Sequence, residues 1–167
     1  MSTAVARLDP KFISLVWAGP ERAVEVAEMH GQLFQPAWNE ASMQETLSHP
    51  GSIAFMARVR EGADALPEPA GFVIGQIAAD EAEILSIGVL PKFQRRGVGT
   101  LLIEGLARAA KRSEVNRLFL EVAADNQSAF ELYRSCGFTA VGMRKGYYER
   151  AGAEPQDALV LALPLDR

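Results

Sequence analysis

The spacing of apolar residues is most regular in the second half of the chain. Over residues 97–111, apolar side chains recur at i, i+3 and i+4 while charged side chains take the opposite positions, which predicts an amphipathic helix. Residues 83–90 just before it (EILSIGVL) are almost continuously apolar, which is typical of a central strand covered on both faces. Gly88 inside this strand indicates a bulge or the close approach of another part of the chain. A further strand is predicted at residues 117–122 and a further helix at residues 127–136.

The remaining elements are shorter, and turn residues separate them. Strands are predicted at residues 11–17, 52–60, 71–79, 138–143 and 158–163, and helices at residues 20–32 and after Trp38, where Asn39 is the cap. Residues 61–70 are rich in Pro and Gly and predict a surface loop, and a loop before the last strand contains Tyr147 and Tyr148. No repeat or linker divides the chain, so the pattern predicts a single mixed α/β domain over residues 1–167.

Composition narrows the functional class. The chain has 167 residues, of which 49% are hydrophobic, and a formal net charge of −4, so it is long enough to bury a core and lacks the basic excess of a dedicated nucleic-acid binder. A single cysteine, Cys136, excludes an internal disulfide and a multi-cysteine zinc site, and His30 and His49 are too isolated to suggest a metal cluster. No uncharged stretch approaches the roughly 20 residues of a membrane helix, and the N-terminus is a poor signal peptide. We therefore expect a soluble, cytoplasmic protein with no metal, no membrane and no direct nucleic-acid partner.

The segment that carries most information is residues 94–99 (QRRGVG), between the buried strand and the amphipathic helix. Glycines at such a junction let backbone N–H groups turn towards a common point, and the helix N-terminus adds positive potential. The arrangement favours phosphate or pyrophosphate, and the side chains of Lys92, Arg95 and Arg96 supply further positive charge beside it. The alternative is a helix start that uses glycine only to form a turn.

Two common phosphate motifs fit this loop poorly. A P-loop requires Gly-Lys-Ser/Thr after the glycines, whereas residues 99–101 of this chain are GTL. A dinucleotide fingerprint fits Gly97 and Gly99, but Leu102 occupies the position of its third glycine. The loop therefore matches neither of these two motifs.

The loop and its surroundings resemble those of the GCN5-related N-acetyltransferases, the GNAT family. The pattern Gln94-x-x-Gly97-x-Gly99 is similar to the R/Q-x-x-G-x-G/A loop that in this family binds the pyrophosphate of acetyl-CoA. The order of strand, helix, strand, Asn126 and a helix containing Tyr133 also matches. The resemblance implies the GNAT fold, an α/β structure with a mostly antiparallel sheet of six or seven strands and about four flanking helices. It also implies acetyl-CoA as the co-substrate, with no metal.

Several stretches resemble one branch of that family, the bacterial ribosomal-protein-alanine N-acetyltransferases. They are Trp38-Asn39, residues 120–122, residues 129–138, the RKGYY segment at residues 144–148, and residues 157–164. The chain departs from the family pattern at residues 61–69 and at residues 151–155, the second near the expected acceptor entrance. The resemblance implies acetyl transfer to the N-terminal α-amine of a protein, and it suggests the N-terminal Ala of a small-subunit ribosomal protein.

Glu121 and Tyr133 are the candidate acid–base pair. Apolar residues occupy positions 118, 120 and 122 of the strand, so Glu121 points to the opposite face. A carboxylate whose pKa is raised by burial accepts a proton from an amine, directly or through water. A tyrosine hydroxyl can protonate a departing thiolate. The alternatives are a solvent-facing glutamate and a core aromatic residue, but the resemblance assigns the base role to Glu121 and the acid role to Tyr133.

The resemblance also implies the remaining contacts. The residues expected at acetyl-CoA are Ile87, Gly88, Val89, Gln94, Arg95, Arg96, Gly97, Val98, Gly99, Thr100, Asn126 and Tyr133. Asn126 is expected to contact the pantetheine arm, to cap its helix, or to do both. Trp38, Tyr147 and Tyr148 are the expected acceptor contacts. Cys136 is expected to be a packed thiol at a helix end, because no histidine is placed to activate it.

Two other functions fit the same residues. A GNAT enzyme that acetylates a small-molecule amine would keep the fold and the co-substrate, and a regulatory module would bind acetyl-CoA without catalysis. Transfer to small amines but not to peptides would indicate the first. Binding of acetyl-CoA with no measurable loss after Glu121→Gln and Tyr133→Phe would indicate the second.

Overall fold

The structure is a computed structural model that describes residues 6–150 and 153–165, with the side chains at 147–150 and 153–156 left out of the description. Each helix and strand predicted from the sequence is present. Along the chain they are β1 (Ile13–Trp17), α1 (Ala23–Leu33), α2 (Glu40–Ser48), β2 (Ser52–Val59), β3 (Glu68–Ala78), β4 (Glu81–Val89), α3 (Val98–Arg112), β5 (Arg117–Ala123), α4 (Gln127–Ser135), β6 (Thr139–Arg150) and β7 (Ala153–Pro164). No helix in the described part of the chain is long and apolar enough to cross a membrane. The extent of the domain over residues 1–167 stays a prediction.

The strands form a 7-stranded sheet in the order β1-β2-β3-β4-β5-β7-β6. Neighbouring strands are antiparallel except β4 and β5, which run parallel. Helix α3 connects these two strands, because parallel neighbours need a crossover connection. The mixed, mostly antiparallel sheet with flanking helices that the sequence predicted is confirmed.

Strand β3 begins earlier than the hydrophobic pattern predicted. It starts at Glu68, inside the predicted loop at residues 61–70. Glu68 pairs with Val59 and Pro69 with Arg58, next to a shift in register. A strand tolerates proline at such an irregularity, where the missing N–H interrupts the ladder least. Main-chain pairing with β2 therefore outweighs the local turn signal of the proline.

The hairpin of β6 and β7 also extends beyond its apolar part. β6 continues to Arg150, β7 begins at Ala153, and the pairing between them includes Tyr148 with Gln156. Tyr147 and Tyr148 therefore lie in a strand and not in the predicted loop. Hydrogen bonds between two strands need no apolar side chains, so the hydrophobic pattern alone does not mark where this hairpin ends.

Helices cover both faces of the sheet and bury a core on each side. The face of α3 and α4 buries Phe93, Leu102, Leu106, Leu118 and Phe138. The face of α1 and α2 buries Val26, Met43 and Phe72. Successive residues of a strand point to opposite faces, and Leu118, Leu120 and Val122 of β5 belong to the α3 side. Glu121 therefore faces the side of α1 and α2, as the alternation in the sequence predicted.

His30 lies in the core between α1 and the sheet, and it makes stability depend on pH. Its ring is 3% exposed and stacks on Trp38 at 4.9 Å between ring centroids, and its Nδ1 accepts the Trp38 N–H at 3.2 Å. Burial lowers the pKa of His30 below its ordinary value. Below about pH 6.5 the unfolded chain therefore binds a proton that the folded chain does not, so stability falls as the pH decreases through this range.

We expect the free energy of unfolding in urea to decrease between about pH 7 and about pH 5.5 because of this histidine. In His30→Gln the decrease should be smaller, although the variant is less stable overall because it loses the ring stacking. Urea titrations at several pH values measure both quantities. Equal pH slopes for the variant and the wild type would show that His30 is not the group responsible.

Candidate active site

Strands β4 and β5 separate along their length and leave a cleft between them. They pair only over residues 81–83 and 117–119 of the described chain. β4 then carries an extra residue, Leu85, because Ile74 pairs with Ser86 while Gly75 pairs with Ile84. A bulge bends its strand, and β4 diverges from β5 beyond it. The resulting cleft has a volume of about 460 Å³, and residues 84–89 and 120–123 form its two long walls.

Gly88 lets the end of α1 pack closely on β4. A Cβ atom at Gly88 would lie 2.6 Å from Leu33 Cδ1 and 3.1 Å from Phe72 Cε1. The glycine therefore marks a close approach, and the bulge lies at Leu85 instead. Leu33 and Phe34 complete one end of the cleft. The sequence analysis did not single out either residue, because only their apolar character is visible in the sequence.

A groove of about 740 Å³ lies where the end of β4 meets the beginnings of α3 and α4. All but two of the residues predicted to bind acetyl-CoA line it, namely Ile87, Gly88, Val89, Gln94, Arg95, Gly97, Gly99, Thr100, Asn126 and Tyr133. The Gln94 side chain donates a hydrogen bond to the Val89 carbonyl at 2.9 Å and fixes the glycine loop to the end of β4. Of the two exceptions, Val98 is buried in the core, and Arg96 forms an ion pair with Glu61.

The main chain of the glycine loop presents N–H groups at the start of α3. Gln94 is extended, whereas Arg95 and Gly97 have positive φ angles of 61° and 97°. Gly97 is the N-cap of α3 and forms no side-chain cap, whereas Asn39 and Asn126 cap α2 and α4 with their side chains. The first turn of α3 therefore keeps N–H groups that no cap side chain satisfies. A helix N-terminus of this kind attracts an anion.

Two of the three basic side chains predicted beside the loop are held in ion pairs outside the groove. Arg96 Nη1 lies 2.9 Å from Glu61 Oε1, and Lys92 Nζ lies 2.8 Å from Glu68 Oε1. The hydrogen bond from Arg96 lowers the pKa of Glu61, and the hydrogen bond to Glu68 raises the pKa of Lys92. Of the three, Arg95 lines the groove. The predicted charge of Arg96 and Lys92 is therefore partly neutralised by carboxylates distant in sequence.

Six residues that line the groove were not among the predicted acetyl-CoA contacts: five from α4 (Gln127, Ser128, Ala129, Glu131 and Leu132) and Arg7. Arg7, from the segment before β1, lines the groove beside Gly97. It belongs to no motif, and only the folding of this segment onto the glycine loop brings it there.

Glu121 lies between the cleft and a second pocket. It lines the cleft and also a pocket of about 470 Å³ on the far side, which includes Glu81, Glu83 and Arg144. The Glu121 side chain is 15% exposed, and Arg144 Nε lies 3.0 Å from its Oε1 atom. A carboxylate at this position can serve as a general base for a group that enters the cleft. The pairing with Arg144 was not predicted, although Arg144 belongs to the RKGYY segment.

Tyr133 and Asn126 connect the cleft to the groove, since each of them lines both. Tyr133 is 8% exposed, and its ring packs edge-to-face on Phe138 at 5.9 Å between centroids. The Asn126 side chain accepts the Ala129 N–H at 3.3 Å and caps α4. The capping role predicted for Asn126 is confirmed, and the residue also faces the groove.

Of the three residues predicted to contact the acceptor, only Trp38 has a side chain that the structure describes. Trp38 packs on His30 next to the core of α1 and α2, and it is not among the residues that line the cleft. The side chains of Tyr147 and Tyr148 lie outside the described residues. Their roles stay predictions.

The described residues offer neither a metal cluster nor an activated thiol. No group of three or more His, Cys, Asp or Glu side chains among them is arranged to hold a metal ion. Cys136 lies at the end of α4, packed against the core, and burial raises the pKa of its thiol. A neutral thiol is a poor nucleophile at neutral pH, which agrees with the packed role predicted for Cys136.

We expect Cys136→Ala to keep acetyl transfer within about twofold of the wild type, because a protonated, packed thiol takes no part in the reaction. Initial rates at saturating substrate concentrations measure this. Mass spectrometry of the protein after incubation with acetyl-CoA alone is the complementary measurement. An acetylated Cys136 together with an inactive variant would instead indicate a covalent intermediate.

The fold and the site define an acyltransferase class, and the comparisons with known proteins agree. Residues 23–138 match the sequence model of the Acetyltransferase (GNAT) family, and the chain belongs to this family. It is 34% identical over 134 residues to the N-alpha-acetyltransferase RimI of Mycobacterium tuberculosis, covering 79% of this chain and 82% of that protein. The family resemblance predicted from the sequence is confirmed.

Two further comparisons concern the ribosomal-protein-alanine branch. The chain is 43% identical over 96 residues to the [Ribosomal protein bS18]-alanine N-acetyltransferase of Salmonella typhimurium, and the match spans 58% of this chain and 64% of that protein. The crystal structure of the ribosomal-protein-S18-alanine N-acetyltransferase from Escherichia coli has a TM-score of 0.79 and 27% identity, covering 93% of this chain and 95% of that chain. The chain is therefore similar to this branch in sequence and in fold.

Proposed function

We propose that this protein is an acetyl-CoA-dependent N-acetyltransferase that acetylates the N-terminal α-amine of a protein. The observation that carries the proposal is that Glu121 and Tyr133 line one cleft, which shares Tyr133 and Asn126 with the groove at the glycine loop. The glycines, the uncapped start of α3 and Arg95 suit the phosphates of acetyl-CoA. Acetyl-CoA, when bound, supplies an acetyl thioester and a thiol leaving group.

The acceptor amine is proposed to meet Glu121 from the far side of the cleft. An N-terminal amine has a pKa of about 7.7–8, whereas that of a lysine side chain is about 10.4, so a modest base suffices for the former. The neutral amine nitrogen bonds to the acetyl carbon, and Glu121 accepts, directly or through water, the proton that this nitrogen loses as the amide forms. The neighbouring carboxylate of Glu83 favours a positively charged acceptor, whereas that of Glu81 is paired with Arg117.

Tyr133, which also lines the cleft, is proposed to complete the transfer. As the carbon–sulfur bond breaks, the hydroxyl of Tyr133 donates its proton to the sulfur and prevents the return of the thiolate. The acetyl group passes to the amine directly. The raised pKa of the Cys136 thiol and its packing against the core support transfer without an enzyme-bound acetyl group.

The proposed acceptor is the N-terminal Ala of a ribosomal protein of the S18 type. The support is the similarity to relatives named for that activity and the acidic pocket beside Glu121. A small-molecule amine is the competing acceptor. The match to the Salmonella relative spans 64% of its length, so the acceptor needs a direct test.

Mass spectrometry of a peptide panel after incubation with acetyl-CoA provides that test. The panel contains ribosomal-protein N-terminal peptides, the same peptides with blocked α-amines and free lysines, and small polyamines. Acetylation confined to free α-amines, strongest on the Ala-starting S18 peptide, is the expected result. Acetylation of small amines alone would overturn the proposed acceptor, and bound acetyl-CoA with no product on any amine would indicate a regulatory module.

A further inference from the structure

We propose that Arg7 binds a phosphate group of acetyl-CoA, so that the segment before β1 forms part of the co-substrate site. The inference rests on the proposed function and goes beyond the glycine loop, to a residue that no motif of the sequence marks. Three features of the structure carry it: the docking of this segment, the position of the Arg7 guanidinium, and the ion pairs that occupy the neighbouring cations.

Hydrogen bonds at Ala6 and Leu8, the residues on either side of Arg7, attach this segment to the glycine loop. The Leu8 N–H donates to the Arg96 carbonyl at 3.0 Å, and Arg96 Nε donates to the Ala6 carbonyl at 3.4 Å. Leu8 also packs against the hydrophobic core on the α3 side. These contacts hold the main chain of residues 6–8 against the loop, so Arg7 is presented by a fixed backbone.

The Arg7 guanidinium lies against the main chain at the N-cap of α3. A Cβ atom at Gly97 would be 3.1 Å from Arg7 Nη2 and 3.3 Å from its Nε. Arg7 also lines the groove, together with Gly97, Gly99 and Thr100 at the start of α3. An anion at this position would meet the helix N-terminus and the guanidinium together, and a guanidinium can contact a phosphate with two parallel N–H donors.

The ion pairs of Lys92 and Arg96 reduce the positive charge that these two residues can offer to a phosphate in the groove. Glu61 pairs with Arg96, and Glu68 pairs with Lys92, so two cations beside the loop are partly neutralised. No carboxylate among the described residues forms an ion pair with Arg7. Its charge, with that of Arg95, is therefore available to a phosphate. Arg96 acts as a positioning residue, because it binds the segment that carries Arg7.

The test is the affinity of the purified full chain for CoA, measured by isothermal titration calorimetry. Arg7→Ala should raise the Kd of CoA by about tenfold, the size expected for one charge-assisted hydrogen-bonding contact. The Kd of Arg7→Lys should lie between those of the wild type and Arg7→Ala, because an ammonium keeps the charge but not the paired donors. The matched control is Arg112→Ala, which removes an exposed arginine at the last residue of α3 and should bind CoA as the wild type does.

Two further measurements identify the phosphate and separate this proposal from the proposed function. If the effect of Arg7→Ala persists with dephospho-CoA, the contact is to the pyrophosphate; if it disappears, the contact is to the 3′-phosphate. Both outcomes support a phosphate contact. A Kd for Arg7→Ala equal to that of Arg112→Ala would overturn the proposal while leaving the proposed function intact. A wild-type chain that binds neither CoA nor acetyl-CoA would overturn both.

Discussion

Replacing Glu121 by glutamine should lower kcat/KM for an N-terminal acceptor by about a hundredfold or more, the usual contribution of a positioned general base. Glutamine has nearly the same shape as glutamate, so the walls of the cleft and of the adjoining pocket keep their form. It lacks the negative charge and the basicity that remove the amine proton. Initial rates over a range of peptide concentrations, with acetyl-CoA held at saturation, measure the loss.

Two variants separate proton transfer from the ion pair that Glu121 makes. Glu104→Gln, on the exposed face of α3, is the matched control and should keep wild-type rates. Arg144→Met breaks the pair with Glu121 but retains the carboxylate, so its loss should be clearly smaller than that of Glu121→Gln. If Arg144→Met costs as much, Glu121 serves to hold Arg144 and is not the base. A loss below about threefold for Glu121→Gln would rule out both roles.

Tyr133→Phe should reduce kcat by about a hundredfold while the Kd of acetyl-CoA stays close to that of the wild type. The substitution removes only the hydroxyl that is proposed to protonate the leaving sulfur. The phenylalanine ring keeps the edge-to-face contact with Phe138, so the melting temperature should change little. Initial rates of CoA release give kcat, and calorimetric titration with acetyl-CoA gives the Kd.

Tyr133→Leu distinguishes the hydroxyl from the ring. Leucine loses the aromatic packing in addition to the hydroxyl, so the variant should melt at a lower temperature and be at least as slow as Tyr133→Phe. If Tyr133→Phe is as active as the wild type while Tyr133→Leu is impaired, the residue is a core aromatic only. That result would remove the proposed general acid and leave Glu121 unaffected.

Local features of the sequence sufficed for the order of the helices and strands and for most of the groove at the glycine loop. The amphipathic spacing of α3, the apolar run of β4 and the glycines at residues 97 and 99 are properties of short segments. Such properties act within a few residues and are visible without knowledge of the fold. The same holds for Asn126, whose capping bond is made to a residue three positions away. The start of β3 and the end of β6 were not predicted, because main-chain pairing with another strand determines where they lie.

The sequence by itself determined the class of protein, the order of its helices and strands, and the identity of the residues around the glycine loop. Only the tertiary structure decided which charges face the groove. Arg96 and Lys92 form ion pairs with Glu61 and Glu68, while the segment before β1 brings Arg7 to Gly97. Each of these contacts joins segments far apart in the chain. A contact of that kind depends on how the strands are ordered and how they diverge, and a local pattern carries no information about either.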